Sequence, residues 1–186
     1  MARRRFFLAA LLAGTVAGCA PPGPPDFTFG GAGFQPANAR LNLTFAERNL
    51  GDMSRYRGRP AEAATALAQF EACVAGVRSQ SAGVAFPERQ VPLLVAAIRE
   101  ARAAIGVSME VLPQDVAAAL AAAIGPIAAN DRAGIRTALS NPIFTLGPDA
   151  TLARLADLPR LSDVESVAPY LTRSAGSMAV GTIGVR

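Results

Sequence analysis

The chemistry open to this chain is set by two thiols, a scatter of carboxylates and one missing side chain. The 186 residues contain no histidine, which removes the ordinary imidazole base and any His-containing metal site. Cys73 lies in Phe70-Glu71-Ala72-Cys73-Val74, where the spacing predicts a helix. It reads as a small buried hydrophobe, not as a nucleophile, for no imidazole exists to activate it. The carboxylates run singly from Asp26 to Glu165. Asp149, Asp163 and Glu165 fall at predicted helix starts, where the helix dipole explains them. A carboxylate pair assembled by the fold would be the remaining hydrolytic chemistry. No phosphate loop, Gly-x-Ser-x-Gly elbow or dinucleotide fingerprint occurs. The reading is therefore non-enzymatic, with no cofactor and no metal. Arg55, Arg57 and Arg59 cluster around Tyr56 and Gly58. They read as a solvated helix end complementing a dipole, with an anionic ligand or lipid headgroup as the alternative.

Cys19 stands in different surroundings. Arg3, Arg4 and Arg5 precede an apolar run from Phe6 to Ala13, and small residues lead on to Val16-Ala17-Gly18-Cys19. A positive segment, a short apolar core and a small-residue zone describe a secretory signal peptide, and the apolar run is too short to span a bilayer. Val16, Ala17, Gly18 and Cys19 resemble the lipobox of bacterial lipoproteins. The resemblance implies cleavage before Cys19, acylation of its thiol and retention in the cell envelope. Ala20 after the cysteine implies sorting to the outer membrane, periplasmic face, in a Gram-negative cell. Several acyl chains on one cysteine hold stably where a single chain does not. Ordinary secretion, with cleavage after Ala20, is the other reading of the same residues.

Removal of residues 1–18 changes the charge balance. The net charge of +4 falls to 15 arginines against 14 acidic residues, so there is no basic surplus to release counterions from a nucleic acid. With Cys19 acylated, Cys73 has no intramolecular disulfide partner. Residues 19–40 are rich in Pro and Gly and read as a lipid-anchored tether. Phe27, Phe29 and Phe34 within it either pack back onto the domain or form a docking strip for a partner.

From residue 41 to 173 the pattern is helical. Thr44 and Glu47 form a capping-box pattern opening a helix to about Arg57, stopped at Gly58. Pro60 opens a second helix, with Ala63, Leu67, Phe70, Val74 and Val77 as one apolar face. A third spans about 89–105, with Val91, Leu94, Val95, Ile98, Ala101 and Ile105 inward and Gly106 as its stop. Pro113 or Gln114 opens a fourth through Val116, Leu120, Ile124 and Ile127, which Gly125-Pro126 should kink or end. Asn130 or Asp131 caps a short fifth through Ile135 and Leu139. Pro148 starts a segment through Leu152, Leu155 and Leu158, and Ser162-Asp163-Val164-Glu165 forms a second capping box leading to Val167 and Leu171. Residues 174–186 read as a flexible tail in which Met178-Ala179-Val180 and Ile183 could add a short strand.

The class is all-α: a compact bundle of about five to seven short helices after the tether. Residues 47–77 resemble one tetratricopeptide unit, with Leu50-Gly51, Gly58, Ala63 and Leu67 at its spacing. No second unit aligns, so a plain helical hairpin is expected. Together these features read as an envelope lipoprotein whose domain acts as a scaffold for another envelope protein. A periplasmic accessory domain enclosing a small apolar ligand is the alternative. An exposed apolar surface favours the first and an enclosed apolar pocket the second.

Overall fold

The computed structural model describes residues 38–80 and 84–176 in full, together with the backbone of 27–29 and 32–34. The expected signal segment 1–18, the expected lipobox residues Val16, Ala17, Gly18 and Cys19, the side chains of Phe27, Phe29 and Phe34, and the strand expected at Met178–Val180 and Ile183 lie outside the described residues. The fold is all-α, as expected. Among the described residues there are eight helices: α1 (Ala39–Thr44), α2 (Ala46–Leu50), α3 (Pro60–Arg78), α4 (Val91–Ile105), α5 (Pro113–Ala128), α6 (Arg132–Leu139), α7 (Pro148–Ala156) and α8 (Ser162–Gly176). The helical region starts two residues before 41 and extends three beyond 173. Within the expected tether, β1 (Phe27–Phe29) and β2 (Ala32–Phe34) pair antiparallel, with Phe27 opposite Phe34 and Phe29 opposite Ala32. The residues between them in sequence are Gly30 and Gly31, a pair that two-residue hairpin loops favour.

α3 is the centre of the domain. Every residue from Ala63 to Val74 is buried, so the single apolar face expected from Leu67, Phe70 and Val74 is only part of its buried surface. A helix buried all round must be surrounded: α5 packs along it most extensively, and α1, α2 and α7 cover other sides. Alanine makes this close packing achievable. Ala63, Ala64, Ala66, Ala68 and Ala72 on α3, and Ala117, Ala119 and Ala123 on α5, are all buried. α1 crosses the far end at Gly76, where an added Cβ would meet the Ala39 Cβ at 3.1 Å. α8 closes the bundle against α1, α2 and α4.

Several local starts and stops fall where the sequence places them. Pro60, Pro113 and Pro148 sit in the first turns of α3, α5 and α7. Asp131 caps α6 by accepting the Ala133 N–H at 3.1 Å. Gly106, at φ 69°, ends α4 in the left-handed conformation, which glycine adopts without penalty.

Other expectations need correction. Thr44 and Glu47 do not form a capping box: Thr44 ends α1 and its hydroxyl donates to the Arg40 carbonyl at 2.8 Å. The Glu47 N–H donates instead to Thr172 Oγ1 of α8 at 2.8 Å. The helix expected to Arg57 stops at Leu50, and Met53–Tyr56 form one 3₁₀ turn. Two long antiparallel helices over 47–77 are therefore absent, and with them the expected hairpin. Val91 and Val95, assigned to the inner face of α4, are 45% and 40% exposed; the buried stripe runs instead through Leu94, Ala97, Ile98, Ala101 and Ile105. Gly125-Pro126 does not end α5, which continues to Ala128. So near the C-terminus the ring forfeits one backbone bond, and packing of Ile124 and Ile127 holds the last turn.

Candidate functional site

The charged residues of the interior are used up by the fold. Glu71 of α3 and Arg102 of α4 are each 2% exposed and form a two-point ion pair: Arg102 Nε donates to Glu71 Oε1 at 2.7 Å and Nη2 donates to Oε2 at 2.8 Å. The remaining nitrogen, Nη1, donates to the carbonyls of Ser108, Met109 and Val111 at 3.0, 3.2 and 2.8 Å. One guanidinium thus joins α3, α4 and the turn leading into α5, with each nitrogen partnered, as a buried charge requires. Burial pushes the Glu71 carboxyl above its ordinary range, and the hydrogen bond and charge of Arg102 pull part of the way back.

A second buried network ties α1 and α2 to α3. Asn49 Nδ2 donates to Gln69 Oε1 at 2.8 Å, and Gln69 Nε2 donates to the Asn42 carbonyl at 2.8 Å. A third contact caps a helix across the fold. Glu100 of α4 accepts the Asp163 and Val164 N–H groups of α8 at 2.8 and 3.2 Å, and Ser162 Oγ lies 3.3 Å from its other oxygen. The expected Ser162–Glu165 capping box is therefore replaced by Glu100. Glu165 is engaged elsewhere, accepting the Met53 N–H at 3.0 Å and the Arg160 Nε–H at 2.8 Å.

Arg55, Arg57 and Arg59 do not converge on a site. Arg55 Nη2 donates to the Asn49 carbonyl at 3.0 Å and to the Tyr56 hydroxyl, and its guanidinium lies 4.8 Å from the Tyr56 ring centroid. Burial of Tyr56 raises the pKa of its phenol. Arg57 pairs with Asp157 and Arg59 with Glu62, each at 3.3 Å. Each arginine is thus engaged within the chain. The turn they flank is fixed by Asp52, which accepts the Ser54 hydroxyl at 2.6 Å and N–H at 3.1 Å. The Ser54 hydroxyl is the main reason that the Asp52 carboxyl sits below its usual range.

Cys73 is fully buried, and burial drives its thiol far above the ordinary range, so it is held as the neutral thiol. Among the described residues no group of three or more Cys, Asp or Glu could hold a metal ion. No helix among them is long and apolar enough to cross a membrane. Two open surface depressions accompany the networks. One, of about 440 Å³, is lined by Arg132, Ala133, Arg136, Thr137 and Ser140 of α6. The other, of about 260 Å³, lies where α3 begins and α5 ends, beside Pro60, Glu62 and Ile127. The exposed large apolar residues Met109, Leu112 and Leu146 belong to two neighbouring turns. A bridge between Val107 and Phe144 joins these turns, and Thr145 N–H and Oγ1 both donate to the Gly106 carbonyl, at 2.9 and 2.7 Å.

Glu71, Arg102, Gln69 and Glu100 were not marked by sequence motifs. A signal for the ion pair was present: Glu71 falls between Leu67 and Val74 on the apolar face of α3, and Arg102 between Ile98 and Ile105 on that of α4. A charge at an apolar position implies a buried partner. Compared with protein-family models, with curated proteins and with solved structures, the chain matches none.

Proposed function

We propose that this protein is a lipid-anchored component of the cell envelope, with a non-enzymatic helical domain that serves as a scaffold for another envelope protein. The observation that carries the reading is the run from Arg3 through the apolar Phe6–Ala13 to Val16-Ala17-Gly18-Cys19. In it a thiol stands where a lipoprotein is cleaved and acylated. The domain supports a structural role in two ways. Its interior charges and amides are spent on holding helices together, and its exposed apolar side chains Met109, Leu112 and Leu146 lie on two turns joined by a backbone bridge. Exposed apolar side chains on turns braced by a buried guanidinium fit a protein contact.

The test is the intact mass of the protein purified from its native membrane, beside a Cys19→Ala variant. The expected product begins at Cys19 and carries a diacylglyceryl group, and the variant loses both the added mass and the mature N-terminus. A soluble, unmodified chain beginning after Ala20 would overturn the proposal.

A further inference from the structure

We infer that the outer face of α6 is a docking surface for the phosphodiester headgroups of an anionic membrane. The inference rests on the reading of the protein as membrane-anchored. α6 is amphipathic. Leu139 is buried, and Ile135 and Ala138 are partly buried against the core. The opposite face carries Arg132, Ala133, Arg136 and Thr137, then Ser140 one position past the helix end, and together these line the 440 Å³ depression. No carboxylate lines it. The carboxylate next in sequence, Asp131, is occupied at the helix N-cap.

The two guanidinium groups differ from the other arginines discussed above. Arg55, Arg57, Arg59 and Arg102 each have partners, and so do Arg160 and Arg173. Arg132 and Arg136 have no ion-pair or hydrogen-bond partner among the described residues, a condition they share with Arg40, Arg89, Arg99 and Arg154, but these two line one depression together. They are one helical turn apart, so their Cβ atoms are about 5–6 Å from each other. Like charges at this spacing repel, and no carboxylate in the lining of the depression offsets the repulsion. A phosphate between them would. Guanidinium is planar and presents paired donors that match phosphate oxygens, where an ammonium offers a point charge. Thr137 adds a hydroxyl donor, while the Ser140 hydroxyl donates to the Arg136 carbonyl at 2.7 Å and helps fix the helix end. Contacts with α5 and α7 hold the helix in place, so the arginines are presented from a rigid element.

The test uses the mature chain, residues 19–186, made without acylation, so that partitioning reports the domain and not the anchor. It is mixed with phosphatidylcholine vesicles that either contain or lack phosphatidylglycerol. Each basic residue near an anionic surface contributes about 1 kcal/mol, or roughly fivefold in partitioning. Arg132→Gln/Arg136→Gln should therefore bind anionic vesicles about 25-fold more weakly than the unsubstituted chain at low salt. Salt should weaken the binding of the unsubstituted chain far more than that of the double variant. Arg132→Lys/Arg136→Lys should bind more weakly than the unsubstituted chain and more tightly than the Gln variant, because it keeps the charge and loses the paired donors, and an unchanged circular dichroism melt shows that each variant folds. Equal binding to both vesicle types, or equal binding by the Gln variant, would overturn the inference. So would saturation of the same arginines by inorganic phosphate without preference for anionic vesicles, which would assign a soluble oxyanion instead. Acylation of Cys19 is read separately by intact mass, so failure of one conclusion is distinguishable from failure of the other.

Discussion

Arg102 and the arginines before α3 carry the same side chain into opposite environments. Arg102 is 2% exposed, matched to both oxygens of Glu71 and to three carbonyls. The side chains of Arg57 and Arg59 are 66% and 62% exposed, and each meets one carboxylate at 3.3 Å. In the first setting the charge cannot be returned to water, so every donor must be matched and loss of one partner strands the other. In the second, water and salt compete for the same groups, and little depends on the pair. The clustering that drew attention to Arg55, Arg57 and Arg59 in the sequence is thus a poor guide to which arginine matters. Isolation inside an apolar stripe is a better one.

The largest effect should come from breaking the buried pair. Arg102→Ala leaves the Glu71 carboxylate buried and frees three carbonyls, and should cost about 3–5 kcal/mol in urea unfolding. Removing both charges, as Glu71→Leu/Arg102→Met, should recover part of the loss but not all, because Ser108, Met109 and Val111 still lose their donor. A double variant as unstable as Arg102→Ala would show that the carbonyl contacts, not the ion pair, hold this end together. The pH dependence has a definite sign. Without Arg102, burial of Glu71 is opposed only by the charge of Arg78, and its pKa in the folded state rises further above the ordinary 4.5. The folded state then binds the proton more tightly than the unfolded one, so the variant gains stability as pH falls and loses it as pH rises through the raised value. Its deficit against the unsubstituted protein should shrink in acid.

Glu100 lies between the two extremes. It is a partly buried carboxylate that caps α8 from another helix. Glu100→Ala should cost about 1 kcal/mol, the usual loss for an N-cap, and Glu100→Gln should retain some of it through its carbonyl oxygen. A loss as large as that of Arg102→Ala would place Glu100 with the interior set and blur the distinction drawn here.

The local punctuation of the fold was legible in sequence because it depends on neighbours in the chain. Pro60, Pro113 and Pro148 start helices, Asp131 caps one, and Gly106 stops one. What failed depends on partners far apart in the chain. Glu71 and Arg102 are separated by 31 residues, and Glu100 and Asp163 by 63. Both capping-box patterns were chemically sound, yet neither formed: the Glu47 N–H donates to Thr172, and the Glu165 carboxylate is taken by Met53 and Arg160 while Glu100 caps α8. Pro126 also stayed inside its helix because burial of Ile124 and Ile127 outweighs one missing backbone bond. The unpartnered arginines of α6 could not be told from the partnered ones by sequence, since the difference is made by which carboxylates the fold brings near.

The smallest effect should be found where the sequence is most conspicuous. Arg57→Gln/Arg59→Gln removes two exposed ion pairs, and exposed pairs are worth between nothing and about 1 kcal/mol each. The turn does not depend on them. Gly58 donates its N–H to the Ala156 carbonyl at 2.7 Å and supplies the φ of 76° that the turn requires. Asp52 fixes the 3₁₀ turn, and Tyr56 is buried with its hydroxyl donating to the Asn49 carbonyl at 2.6 Å. The double variant should therefore unfold within about 0.5 kcal/mol of the parent. That small difference should vanish at high salt, where an exposed pair is screened. The Arg102 deficit should persist under the same conditions, because salt does not reach a pair that is 2% exposed. A salt-insensitive loss of several kcal/mol in Arg57→Gln/Arg59→Gln would mean that the rim pairs are sheltered in solution, and exposure would no longer separate the two regions.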